Sequence, residues 1–555
     1  MHSVIMLMLG AGRCVALGRL PGAAVRLRTV MTAAPRSATA AIDCAALAED
    51  QFSGDLLILP FYKGENVDCL SGAAAAWDAK LGGAVSELVK EADFDGSASK
   101  THVARVGGGA SAVRHVALYG LGNAVCAPGA DAARFAALGR FAAATSKASK
   151  ASVVGVAVPA AAWAWAAQPA LVEGVVGGAL DGTYVDNRFR TGDSVEAPPP
   201  LRSLAFLDAA GDAAAAGAVA AAAQRAAAAQ HGVALARDLV NAPPNILTPL
   251  ALAECAVDVA AAFPETMSVK VLSIEECAAM GMGCYIGVAQ GASEPFSGRF
   301  IHLTYTGKSA GPKRKLAIVG KGLTYDSGGY NLKPSAGGSI EVMKFDMGGA
   351  AAALGCAAAL ARLAPADVDV HFVIAACENM ISGDAMRPGD VLTAMNGKTV
   401  EVINTDAEGR LTLADALVYT TRHCAPDAIV DVATLTGACI VALGDDVAGL
   451  FTPHDALAAS LAAAAERADE DIWRLPLVSK YEDAIKSKIA DLKNVGNKGG
   501  GAITAALFLQ HFVPKETPWA HLDIAGPVWD GKNMKATGFG VKTLLEWVAA
   551  PTESK

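Results

Sequence analysis

Asn404-Thr405-Asp406-Ala407-Glu408-Gly409-Arg410-Leu411 places two carboxylates and a guanidinium at every second position. In an extended backbone, residues i, i+2 and i+4 project to one side. Asp406, Glu408 and Arg410 are therefore expected to converge. Carboxylates aimed together call for a divalent cation, and an arginine beside them for an anion. A second segment adds to this chemistry. The apolar run Leu316-Ala317-Ile318-Val319 reads as a buried strand of the parallel type. It is expected to end at a glycine-rich loop, Gly320 to Gly329, which carries Lys321 and Asp326. Ligand sites of open α/β sheets gather at the carboxyl ends of strands. Lys333 follows, then Met343-Lys344-Phe345-Asp346-Met347-Gly348-Gly349 at the head of an alanine-rich helix.

Four carboxylates (Asp326, Asp346, Asp406 and Glu408) suit two dications better than one, because one ion leaves excess negative charge. Paired metals roughly 3.5–4 Å apart are a device for hydrolysis: they polarise a carbonyl and lower the pKa of a bridging water. Oxygen-rich ligation favours manganese or magnesium, and zinc stays open. Each segment also has an ordinary reading by itself. The acidic run could be a solvated strand face, Lys321 a surface lysine or phosphate contact, and Asp346 a helix cap. Gly-Lys-Gly lacks the Ser or Thr that a phosphate-binding P-loop needs.

The run from Asn404 to Leu411, NTDAEGRL, resembles the signature of the leucyl aminopeptidase (cytosol aminopeptidase) family of two-metal exopeptidases. Gly320 to Gly329 is similar to that family's first metal-binding segment. The resemblance runs from about Ala236-Arg237-Asp238 to Val541. It includes Val373 to Met380, Ala433 to Ala438 and Asp523 to Pro527. Tyr330-Asn331-Leu332-Lys333 is similar to the plant-type branch.

The resemblance implies a set of roles. Asp326 and Glu408 would bridge two metals, with Asp406, Lys321 and Asp346 completing their shells. Lys333 would steady the developing oxyanion. Arg410 would hold a bicarbonate acting as general base. Met343, Thr434, Leu435 and Gly437 would line an apolar pocket for a leucine-like side chain. The implied substrates are peptides and amino-acid amides with a free amino terminus, the implied role is intracellular peptide turnover, and the implied assembly is a homohexamer.

The elements that must position these residues alternate between strand and helix. A chain of 555 residues accommodates several domains. Residues 1–41 read as a transit peptide: Arg13, Arg19, Arg26, Arg28 and Arg36 appear with no acid before Asp43. A secretory signal competes, and Met31 offers an internal start for a cytosolic form. Otherwise plastid or mitochondrion is expected. Losing those five arginines would take the formal charge from −9 to −14.

Residues 42–206 read as an amino-terminal α/β domain, with strands at Leu56–Leu59, Val116–Tyr119, Val153–Val158 and Leu204–Phe206, and helices at Asp131–Ala144 and Leu171–Tyr184. Residues 207–236, dominated by alanine, read as a connecting helix. Residues 237–555 form the expected catalytic domain, a mixed and largely parallel sheet flanked by helices. It opens with Thr248 as helix cap and Pro249 in the first turn.

Several classes are excluded. No apolar run has the length of a membrane span, and no block of like charge suggests nucleic-acid binding. Eleven cysteines, none in a Cys-x-x-Cys pair, read as buried free thiols. Ten histidines form no His-Glu-x-x-His pattern, which argues against a zincin-type protease. A phosphoesterase and a non-catalytic assembly protein stay open as competitors. Cleavage of leucine amide or of a phosphate ester separates the two enzymes.

Overall fold

A computed structural model describes residues 42–550 except 49–50, 65–69, 71, 108–111, 124–127, 158–167, 209–212, 336–339 and 498. The expected leader lies outside the described residues. So does Val158, the last residue of one expected strand.

The amino-terminal half builds a six-stranded sheet from β1 (Asp43–Ala48), β2 (Leu56–Tyr62), β3 (Thr101–Arg105), β4 (His115–Gly122), β5 (Val153–Ala157) and β6 (Ser203–Asp208). Its order is β1-β6-β5-β2-β4-β3. Only β3 runs antiparallel to its neighbour. The apolar runs in β2 and β4 are buried, as continuous hydrophobic stretches of a parallel sheet should be. The sequence reading passed over β1 and β3. Both are edge strands of mixed polarity, extended because a neighbour pairs with them. Helices Pro128–Ser149 and Pro169–Thr183 cover this sheet's core, and Tyr184 stands just past the second as its cap.

Helix Ala213–Asn241 leads into the second half and continues five residues past Ala236. It lies against helix Gly348–Leu363 at a glycine crossing. A Cβ at Gly232 would stand 2.3 Å from the Gly355 carbonyl oxygen, so the backbones approach closely only without side chains there. Thr248 caps helix Pro249–Ala262 as expected, accepting a hydrogen bond from Ala251 N at 3.2 Å.

The second sheet has eight strands: β7 (Met267–Leu272), β8 (Arg299–Thr306), β9 (Arg314–Asp326), β10 (Val368–Asn379), β13 (Ala428–Ala433), β14 (Ala448–Phe451), β15 (Ile472–Arg474) and β17 (Trp519–Asp523). Its order is β15-β14-β17-β13-β9-β10-β8-β7. The small strands β11 (Val391–Thr393), β12 (Thr399–Glu401) and β16 (Leu492–Lys493) make a separate three-stranded sheet. The four central strands β17, β13, β9 and β10 are parallel, and antiparallel pairings flank them, so the large sheet is mixed. One apolar layer includes helices 249–262 and 348–363, and the opposite layer is built around helix Gly409–Cys424. Among the described residues, no helix is long and apolar enough to cross a membrane.

Two local expectations fail here. The segment from Lys321 to Asp326 is strand, not loop: β9 runs seven residues beyond Val319. β10 holds it in parallel register as far as Asn379↔Asp326. Residues 404–411 are not extended. Thr405 and Asp406 form a turn, Glu408 has helical dihedrals, and Gly409 begins the helix that contains Arg410.

Candidate active site

The carboxyl ends of the parallel strands meet at one place. β9 delivers Lys321 and Asp326, β10 ends at Asn379, and Thr434 directly follows β13. Asp346 stands just ahead of helix 348–363, and Glu408 directly precedes helix 409–424. Lys321, Asp326, Asp346 and Glu408 are all buried, each no more than 3% exposed. Oxygens of Asp326, Asp346 and Glu408 lie within 4.8 Å of one another. Lys321 Nζ sits 2.8 Å from Asp346 Oδ1, 2.9 Å from Glu408 Oε1 and 3.0 Å from the Thr434 carbonyl oxygen. Lys333 Nζ joins Asp326 Oδ2 at 2.8 Å to Asp406 Oδ1 at 2.5 Å. Five carboxylate and lysine side chains foreseen from sequence thus share one cluster, and Asp406 reaches it through Lys333.

Charge explains the titration of this cluster. Burial, then the Glu408 charge, pushes the Asp326 carboxyl up to about 6. Burial likewise raises Asp346 well above the ordinary range, and Asp406 is raised by burial and Glu408. Glu408 moves the other way: burial opposes ionisation, but Lys321 and Lys333 outweigh it. Both ammonium groups are raised, because the surrounding carboxylates overcome their own burial. Four carboxylates face two ammoniums, so the cluster is short of positive charge. Asp346 Oδ2 and Glu408 Oε2 are buried without a hydrogen-bond partner among the described residues. Buried carboxylate oxygens of this kind are costly unless protons or cations satisfy them. The donor set fits divalent metal ions.

Arg410 is buried, its Nε has no hydrogen-bond partner among the described residues, and burial lowers its guanidinium to about 10. The charges of Glu408 and Asp523 partly offset that burial, and the unpartnered Nε–H can serve an anion.

The four pocket residues separate. Thr434 belongs to the cluster itself, its Oγ1 donating to Asp346 Oδ1 at 2.8 Å. Leu435 is partly buried, with its backbone N–H donating to Asp523 Oδ1 at 3.1 Å. Gly437 is exposed and opens helix Gly437–Leu443, with free space where a Cβ would stand. Met343 is half-buried in the short helix Ile340–Phe345, ahead of Asp346.

Sequence reasoning missed the supports. Asn379 Nδ2 donates to Asp326 Oδ1 at 2.8 Å and to the Thr405 carbonyl at 3.0 Å, locking the first carboxylate to the 404–408 turn. Thr405 Oγ1 donates to the Gly328 carbonyl at 2.6 Å, and Asn494 Nδ2 donates to the Asn404 carbonyl at 2.6 Å. Asn379 lies at the end of the segment Val373 to Met380, but only the strand register that sets it opposite Asp326 reveals its role. Gly328 has φ +87° and passes so close to Asp406 that a Cβ would come within 2.8 Å of Oδ1.

The model of the cytosol aminopeptidase family catalytic domain matches residues 234–545, and that of the family's N-terminal domain matches residues 58–193. The chain belongs to the cytosol aminopeptidase family. It is a metal-dependent aminopeptidase, a hydrolase acting on peptides. It is 48% identical to the neutral leucine aminopeptidase, chloroplastic, of Solanum lycopersicum, over 85% of this chain and 80% of the relative. It is 48% identical to a probable cytosol aminopeptidase of the cyanobacterium Trichormus variabilis, over 90% and 97% of the two chains. A solved tomato leucine aminopeptidase carrying a lysine-to-glutamate substitution superposes with a TM-score of 0.83 at 41% identity. That match covers 93% of this chain and 98% of the other.

Proposed function

We propose that the enzyme removes amino-terminal residues, preferentially leucine-like, from peptides and amino-acid amides, using two divalent metal ions held by Lys321, Asp326, Asp346, Asp406 and Glu408. The convergence of these side chains in one buried cluster, with carboxylate oxygens left unpartnered, carries the reading. When bound, such ions supply Lewis-acid polarisation of the scissile carbonyl and acidify water. Manganese or zinc is the proposed metal, with magnesium as the third choice. Lys321 is a ligand once neutral, which requires transfer of its proton to solvent.

The chain's own side chains do the orienting. Asn379 and Thr434 donate to Asp326 and Asp346 and so fix how those carboxylates face the centre. Lys333 is held protonated by Asp326 and Asp406 and presents its ammonium to the oxyanion that forms on the scissile carbonyl. Arg410 supplies the buried cation for a bicarbonate, whose chemistry is that of a general base. Met343, Thr434, Leu435 and Gly437 are the proposed lining of an apolar pocket, and Gly437 contributes open space where a Cβ would stand. Such a pocket discriminates by about 1–3 kcal/mol per methylene. An internal peptide bond brings no free amine to the centre, which favours cleavage at the first bond.

The domain divisions at 41, 206 and 236 are proposed as functional units, and a homohexamer as the assembly. A plastid location is favoured by the arginine-rich, acid-free residues 1–41 and by the chloroplastic leucine aminopeptidases of tomato, Arabidopsis thaliana and potato among the relatives. The test is hydrolysis of leucine-p-nitroanilide by the purified protein and by Asp406→Ala, with and without manganese. Wild-type turnover should rise with added metal, and the variant should show none. Undiminished turnover by Asp406→Ala would end the assignment.

A further inference from the structure

A second group of metal-binding side chains lies away from the carboxylate cluster. His302 is on β8 and His371 on the neighbouring antiparallel strand β10. The register pairs His371 with Thr304 and Val373 with His302, so the two imidazoles are diagonal neighbours on one face of the sheet. Helix 409–424 packs over that face, and its last residue is Cys424. The three ligand atoms lie within 4.8 Å of one another. His302 Nε2 is 3.0 Å from His371 Nδ1, and Cys424 Sγ is 3.6 Å from His302 Nε2.

These edges can be compared with a coordination polyhedron. Zinc bonds of about 2.0–2.1 Å to nitrogen and 2.3 Å to sulfur, at tetrahedral angles, separate two nitrogens by about 3.3 Å and nitrogen from sulfur by about 3.5 Å. The two edges that involve His302 agree to within a few tenths of an ångström, and the third, from Cys424 to His371, is no longer than 4.8 Å. The hydroxyl of Thr304 approaches both facing nitrogens at 3.3 Å, so two nitrogens, a sulfur and an oxygen crowd one point. One proton between the rings satisfies only two of them. Tyr419 Oη stands 3.1 Å from His302 Nδ1, the outer-shell contact that fixes a ligating imidazole's tautomer.

The group is remote from the candidate active site. Glu408 and Cys424 occupy opposite ends of a 16-residue helix, about 24 Å long at 1.5 Å per residue. Along β10, the eight residue steps from His371 to Asn379 span about 26 Å.

We propose that His302, His371 and Cys424 form a separate three-ligand site for a borderline-soft divalent metal, zinc foremost, with the fourth position open to Thr304 or water. Binding releases the Cys424 thiol proton to solvent and forms the metal–sulfur bond. The ion pins the end of helix 409–424 to β8 and β10. The opposite end of that helix presents Glu408 and Arg410.

Cobalt loading of the full-length protein tests the proposal. Carboxylate and lysine ligands give no thiolate-to-cobalt charge-transfer band, so a near-ultraviolet band of that type is not produced by the carboxylate cluster, and its loss on replacing Cys424 assigns it to this site among the eleven cysteines. The expected result is a band in wild type that is lost in Cys424→Ser and in His371→Gln, with one metal equivalent per chain lost in each. Leucine-p-nitroanilide turnover retained by the variants shows that they are folded. X-ray absorption at the zinc edge of the zinc-loaded wild type needs no variant and should show a sulfur ligand. A wild-type protein without the band and without zinc-bound sulfur overturns the proposal. So does a band that survives in Cys424→Ser.

Discussion

Replacing Gly409 with alanine should disable the enzyme while leaving its fold nearly intact. The new Cβ would stand 2.3 Å from Lys321 Cε, 2.5 Å from Nζ and 2.8 Å from Cδ. Carbon atoms pack comfortably at about 3.5–4.0 Å, so the lysine tail must retreat by about 1 Å or more. A lysine tail is usually free to move, but this one is buried and tied to Asp346, Glu408 and the Thr434 carbonyl. Retreat breaks at least one of those contacts and displaces a proposed metal ligand. A misplacement of about 1 Å in a catalytic assembly costs on the order of 10²-fold in rate. Stability should change far less. Overpacking costs about 1–3 kcal/mol, and glycine-to-alanine in a helix returns roughly 0.5–1 kcal/mol. The assay is kcat/KM for leucine-p-nitroanilide across a manganese titration, with Tm measured alongside. An alanine variant with wild-type turnover and wild-type metal response refutes the placement of Lys321 in the reacting centre.

Two further outcomes follow from the same geometry. Lys333→Met removes the ammonium that touches Asp326 and Asp406 and should lower kcat by about 10²–10³-fold with metal content preserved; an unchanged kcat removes Lys333 from the chemistry. Glu378 is buried near the end of β10, and burial pushes its carboxyl up to about 7, from an ordinary value of 4.5. A raised folded-state value means the native protein binds the extra proton, so this contribution is full below pH 4.5 and is lost as pH rises through 7. Glu378→Gln should therefore gain stability over wild type on going from pH 5 to pH 8, by at most about 3 kcal/mol. A Tm difference that is the same at both pH values speaks against a buried, titrating Glu378.

Much of the scaffold was legible locally because local physics decides it. The apolar runs of β2 and β4 are buried strands. Alanine content made the 213–241 helix predictable, and Thr248-Pro249 announced the next one. Edge strands such as β1, β3 and β15 carry little signal of their own, since pairing with a neighbour is what extends them. The residues of the catalytic cluster are identifiable by type, but their spacing misleads about the backbone that carries them. Glycine and charge at 320–326 suggested a loop, whereas pairing on both sides keeps β9 extended and buries its lysine and aspartate. Alternation at 406–410 suggested a strand, whereas the chain turns there and enters a helix.

The sequence by itself determined which acids, lysines and arginine were available, and that their charges needed cations and an anion for balance. Those are properties of side-chain chemistry, independent of where each side chain sits. Tertiary structure alone decided that Asn379 grips Asp326, that Gly409 leaves room for Lys321, and that His302, His371 and Cys424 meet. Such contacts join residues tens of positions apart. No local period or spacing encodes them, and only strand register and helix packing bring them within bonding distance.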